Sequence, residues 1–270
     1  MRKILLPPLM ILLLVACADR HPVASVSGPG VRLEASVGSD VTAATSHGRV
    51  LPAAYTAAMG ETNNTWPHAR ANMRYQQVFL GAELGDLDRI AGLCLRHDEL
   101  FGGRQVAEQL TVKLGPTLMS NTNLSTSFDA NYSGTPTVVF SGGIVIPATT
   151  GAGNVDMFDF CIEFTTQYLH LPGSNLIVEF VNTSATSLTH PKDACSSSTG
   201  CTTRRVVAFS ASASTATLAD NSGLIMQFLT ADPTEKVDCT EGRWVDFGFR
   251  NQGQCIRFVE TGKDSRADAD

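Results

Sequence analysis

From residue 51 to about 229 the chain is broken into eight short runs of β-type residues, bounded by Gly, Pro, Asn and Ser clusters, and no convincing amphipathic helix separates one run from the next. The runs cover 74–80, 88–96, 107–114, 137–146, 157–166, 175–181, 204–212 and 223–229. Phe158, Phe160, Ile162 and Phe164 fall on one face, as a half-buried strand requires, and Leu110, Val112 and Leu114 alternate likewise. In the 175–181 run, Ile177, Glu179 and Val181 oppose Val178 and Phe180, so both faces carry apolar residues. A parallel sheet would need helical crossovers. The expected fold is therefore all-β, an antiparallel β-sandwich or jelly roll over residues 51–230.

The chain has seven cysteines, an odd number, and the first stands apart. Arg2 and Lys3 precede an apolar stretch from Ile4 to Val15 that is too short to span a bilayer, which takes about 20 residues. Leu14, Val15, Ala16 and Cys17 resemble the lipobox of bacterial lipoproteins. That resemblance implies a signal peptide over 1–16 and a diacylglycerol on Cys17, an anchor that draws about 0.8 kcal/mol from each buried CH₂. Ala18 in place of Asp implies outer-membrane placement where the cell has one. The alternatives are an ordinary secretory signal cut near Ala18, or a short anchor helix. Residues 17–50, rich in Ala, Ser, Val and Gly without sustained periodicity, read as a flexible tether.

Six cysteines remain, and in an exported protein they pair. Cys195 and Cys201 flank a loop short enough for a local bridge, and Cys239 and Cys255 bracket a second loop whose closure is worth about 3 kcal/mol. Cys94 and Cys161 are left, each in an expected strand, where a bridge would tie two strands together. No CxxC pair or histidine spacing accompanies them, so a zinc site is disfavoured.

Two segments resemble bacterial families. Asn64-Thr-Trp-Pro67, Arg74-Tyr-Gln-Gln-Val78, Ile90-Ala-Gly-Leu-Cys-Leu-Arg96 and Leu124-Ser-Thr-Ser-Phe-Asp-Ala-Asn131, in that order, resemble a β-rich module of exported proteins that often carry PEP-CTERM sorting tails. The resemblance implies location and fold, and no activity. In this chain the lipobox would supply the anchorage. Residues 239–255, with Cys239, Gly242, Trp244, Phe247, Gln252-Gly253 and Cys255, are similar to a short C-terminal element of many exported bacterial proteins. Read physically, residues 231–262 form a disulfide-closed hairpin with a turn at 251–253, either docked on the sandwich or free on a linker; 263–270 is a frayed, disordered tail.

Chemistry is harder to find. The net charge of −6 becomes −8 once Arg2 and Lys3 leave with the signal peptide, reducing 20 basic residues to 18 against 26 acidic ones. That gives phosphates no general attraction, so nucleic acid is excluded as a partner. No GxSxG elbow and no HExxH pair occurs. The densest polar group, Arg96-His97-Asp98-Glu99, reads as a solvated strand end, with an acid/base or metal role as the lesser reading. Gly151-Ala-Gly-Asn154 reads as a hairpin turn. Glu83, Asp86 and Asp88, in a Gly-containing loop, are candidate ligands for a structural calcium. Trp66, Tyr75, Tyr132, Tyr168 and Trp244 are candidate glycan-stacking aromatics, although core use suits them better.

The function expected is that of a lipid-anchored envelope protein whose exported sandwich is a structural or adhesin-like interaction module, without catalysis. Its partners would be the membrane, through the lipid, and a glycan or envelope protein. A carbohydrate-binding module is the alternative, and a hydrolase with a noncontiguous site comes third, on fold analogy alone.

Overall fold

A computed structural model describes residues 48–196, 200–245 and 247–266. The leader, Cys17 and the expected tether up to residue 47 lie outside the described residues. In chain order the strands are β1 (Gly48–Leu51), β2 (Thr62–Asn64), β3 (Met73–Phe79), β4 (Arg89–Leu95), β5 (Val106–Thr117) and β6 (Thr137–Ile146). There follow β7 (Phe160–Leu169), β8 (Asn175–Asn182), β9 (Lys192–Ser196), β10 (Arg204–Ala208), β11 (Leu218–Asp220), β12 (Ser222–Leu224) and β13 (Met226–Thr230). One helical turn, α1 (Gly81–Leu84), follows β3, and a longer helix, α2 (Gln252–Thr261), lies near the C-terminus.

Three antiparallel sheets form, and the all-β class holds. A four-stranded sheet has the order β1-β13-β4-β7, a six-stranded sheet β11-β10-β3-β8-β5-β6, and a small sheet β12-β9-β2. Period-two alternation places Val106, Leu110, Val112 and Leu114 of β5 on the inner face, with Val178 and Phe180 of β8 beside them. Leu93, Leu95, Phe160, Ile162 and Phe228 of the four-stranded sheet complete the same apolar cluster. Phe79 meets Phe228 edge-on across the two sheets, with ring centroids 5.0 Å apart. Full burial of each such side chain contributes about 1.5–3 kcal/mol, so this interior is what holds the sandwich together.

The outer face of the six-stranded sheet is covered as well. Leu124 and Phe128, from the segment between β5 and β6, pack with Val78, Ile177 and Val206 into a second cluster. This explains the apolar residues on both faces of β8.

Several boundaries differ from expectation. β1 begins at Gly48, inside the segment read as tether, because Arg49, Val50 and Leu51 pair with Phe228, Gln227 and Met226. The run 204–212 ends as a strand at Ala208, and 223–229 divides into β12 and β13 around Ile225. β2, β9 and β11 were not expected. β9, Lys-Asp-Ala-Cys-Ser, looks too polar for an interior strand, yet its Lys192 and Asp193 are buried with partners.

The C-terminal element is helical where a hairpin was expected. Asn251 caps α2, its Oδ1 accepting from the Gln254 N–H at 3.0 Å, and Gly262 ends it in the left-handed region at φ 67°. Cys255, Phe258 and Val259 share one face at helical spacing and join Phe247 and Phe249. The tail is ordered at least to Arg266. Its guanidinium lies over the rings of Phe249 and Phe258 and bonds Asp232 Oδ1 at 2.7 Å.

Candidate functional site

The three bridges join Cys94 to Cys161, Cys195 to Cys201 and Cys239 to Cys255. Cys94 and Cys161 are direct register partners on β4 and β7, Cys195 and Cys201 close the end of the small sheet, and Cys239 and Cys255 sit in the core of the C-terminal element.

The three candidate calcium ligands are not brought together. Glu83 accepts from Thr202 Oγ1 at 2.6 Å and from the Ala53 N–H, Asp86 accepts from Arg49 Nη2 at 2.7 Å, and Asp88 accepts from Arg243 Nη2 at 2.6 Å. A guanidinium is a fixed cation that competes directly with a metal for a carboxylate. Among the described residues no group of three or more His, Cys, Asp or Glu could hold an ion. Asp86 and Asp88 instead line a cleft of about 340 Å³ between the sandwich and the C-terminal element, together with Arg49, Arg89, Arg243 and Phe247. Its charges are used in docking: Arg243 reaches back to Asp88, and Arg89 lies 3.9 Å from Asp238.

Arg96 is not at a solvated strand end. It is fully buried, donating from Nε to Asp193 Oδ2 at 2.6 Å, from Nη1 to the Val155 carbonyl at 2.8 Å, and from Nη2 to the carbonyls of Tyr55 and Ala58. Asp193 also accepts from the Gly60 N–H, so the pair pins the segment after β1 to β9. His97 Nδ1 meets Asp159 Oδ2 at 2.6 Å, and Asp98 Oδ1 closes a turn by accepting from the N–H groups of Leu100 and Phe101. The 151–154 segment turns with Gly151 and Ala152 at positive φ, and the Ala152 N–H bonds the Glu99 carbonyl.

Other ionisable groups lie inside the sandwich. Glu108 points inward from β5, with Oε2 3.0 Å from His68 Nδ1 and Oε1 accepting from the Ala69 N–H. Burial pushes the Glu108 carboxyl up, but His68, Ala69 and Asn182 outweigh burial and hold it below its ordinary value. Lys192 donates to His190 Nδ1 at 2.8 Å, while His190 Nε2 bonds the Pro147 carbonyl, which fixes the tautomer. Burial draws the Lys192 ammonium down to about 7, against the opposing pull of Asp159 and Glu108. Burial, then Lys192, lowers His190. Both side chains are closed to solvent, with Lys192 1% and His190 0% exposed. Their arrangement is structural in this conformation.

The five candidate aromatics do not make an exposed platform. Tyr75 and Tyr168 are buried, Trp66 is edge-on to Phe209 and lies beneath Arg205, and Trp244 packs in the C-terminal element. Tyr132 lines an open cleft of about 460 Å³ on the outer face of the six-stranded sheet. Its ring rests on Gly115, where a Cβ would come within 2.6 Å of it. Three of the residues that line the cleft, Arg74, Lys113 and Tyr132, reach Glu179, which is 0% exposed in the middle of β8. Glu179 accepts from Lys113 Nζ at 2.9 Å, Arg74 Nη2 at 3.0 Å, the Tyr132 hydroxyl at 3.3 Å and Gln76 Nε2. Gln76 and Lys113 are its register partners on the flanking strands. Burial, then the Glu179 charge, raises the Tyr132 hydroxyl above its ordinary value. Sequence reading placed Glu179 on an alternating strand but could not pair it, since its partners are 47 to 105 residues away. No family model, curated protein or solved structure matches this chain.

Proposed function

We propose that the protein is a lipid-anchored component of a bacterial envelope, with its β-sandwich exported and serving as an interaction module. The observation that carries this reading is the division of the cysteines. Six of seven are closed in three bridges, as suits an oxidising compartment, and the seventh is Cys17, at the end of the lipobox-like sequence. An interaction role is supported by the way the ionisable groups are used: the buried ones brace strands and loops, and those of the junction cleft hold the C-terminal element in place.

Labelling with radioactive palmitate in a bacterial host tests the anchor. The full chain is expected to take up label and fractionate with membranes, and Cys17→Ser to lose both. Label retained in the serine variant would overturn the anchor.

A further inference from the structure

We infer that the cleft beside Tyr132 is a binding site for a neutral saccharide. The cleft falls within the 300–1,000 Å³ of small-molecule sites. Its charged groups are held in place before any ligand arrives. Arg74 is fixed by Glu179, by Asp129 Oδ1 at 2.9 Å, by the Ala213 carbonyl at 2.9 Å and by the Phe128 ring beneath it at 4.5 Å. Among the described residues Lys113 makes one hydrogen bond, to Glu179, which leaves two of its three N–H donors for a ligand. Asp129 has one oxygen on Arg74 and, among the described residues, no hydrogen-bond partner on the other. The exposed Ser133 and Thr135 add hydroxyls on the rim, and Tyr132 and Pro136 supply apolar surface.

Charge decides the ligand class. Arg74 and Lys113 are balanced by Glu179 and Asp129, so the cleft carries no net charge that would favour an anion or a cation. A sugar hydroxyl both donates and accepts. Sugar hydroxyls can therefore bond both the ammonium and the free carboxylate oxygen, while the C–H face of the ring lies on Tyr132 or Pro136. The junction cleft lacks this arrangement, because Asp86 and Asp88 there hold Arg49 and Arg243.

The inference gives the interaction-module reading a ligand class and rests on it. Isothermal titration of the full chain, kept in a sugar-free detergent, with maltotriose, cellotriose, mannotriose and triacetylchitotriose tests it. Saturable binding of at least one of these is expected. Asp129→Ala should weaken it about tenfold or more, as loss of a charged hydrogen-bond acceptor does, with at most a small fall in melting temperature, because the Asp129 side chain is 82% exposed and its ion pair with Arg74 is screened by solvent. Asp86→Ala in the other cleft should leave binding unchanged. No binding by any of the four sugars, equal affinity in Asp129→Ala, or binding confined to sialyllactose and inorganic phosphate would each overturn the site. Palmitate labelling is indifferent to all of these results, so the anchor and the sugar site fail separately.

Discussion

The sandwich and the C-terminal element each carry a disulfide between packed segments, but they stand on different foundations. Around Cys94 and Cys161 the paired strands β4 and β7 feed Leu93, Leu95, Phe160 and Ile162 into a core shared by two sheets. Around Cys239 and Cys255 the buried apolar residues, among the described residues, are those two cysteines with Phe247 and Phe249, and Trp244, Ile256, Phe258 and Val259 pack against them partly buried. So small an apolar cluster offsets little of the entropy lost in ordering the element, and the bridge supplements it. The same covalent device is a lesser share of what holds the sandwich and a larger share of what holds the element. Small domains meet this limit generally, because their surface is large relative to their volume.

Removing the bridges in turn should expose the difference. Cys94→Ala with Cys161→Ala opens a crosslink of sequence separation 67 and is expected to lower stability by about 4 kcal/mol in denaturant unfolding, with the sandwich still forming. Cys239→Ser with Cys255→Ser opens a separation of 16, worth about 3 kcal/mol, and should release the element alone. Trypsin would then cut at Arg250 and Arg257 while the sandwich resists, as mass spectrometry of the fragments would report. An element that stays protected without its bridge would break the comparison.

A second contrast concerns buried charge. The sandwich encloses Lys192, whose ammonium burial lowers to about 7 from an ordinary 10.5. Between these values the unfolded chain binds the extra proton, so this group makes stability rise as pH goes from about 7 towards 10.5. Lys192→Met should flatten the rise in stability between pH 7 and 9 in denaturant unfolding, because the titrating ammonium is gone. A variant as pH-dependent as the parent would show that the titration lies elsewhere. The smallest effect belongs to the joint between the two regions. Arg243 and Asp88 are each about one-third exposed, so Arg243→Ala should cost about 0.2–1 kcal/mol, and less in high salt. A loss several times larger would make the element part of the sandwich's cooperative unit.

The strands of the sandwich were legible because their apolar residues repeat every two positions, as Val106 to Leu114 of β5 and Phe160 and Ile162 of β7 do. The misreadings share a cause. β9 hid its strand behind Lys192 and Asp193, polar residues made compatible with burial by His190 and Arg96, one of them distant in sequence. The helix after Cys239 was hidden by a short apolar run, Ile256 to Val259, which suits a strand or a helix; Asn251 and Gly262 were the capping signals that decided it. Asp86 and Asp88 looked like metal ligands because the arginines that claim them come from residue 49 and residue 243.

By itself, then, the sequence determined the all-β class, the three pairings among the six cysteines from Cys94 to Cys255, and the positions of most long strands. All of these follow from periodicity and count, which are local. Tertiary structure alone decided which charges meet: Glu179 with Arg74 and Lys113, Arg96 with Asp193, Lys192 with His190. Except for the last, these pairs join residues far apart in the chain, and the environment of all of them is set by sheet register, which brings distant side chains within hydrogen-bonding reach and removes them from water. A buried charge is stable only with its partner in place, so its role becomes readable only when the fold has supplied that partner.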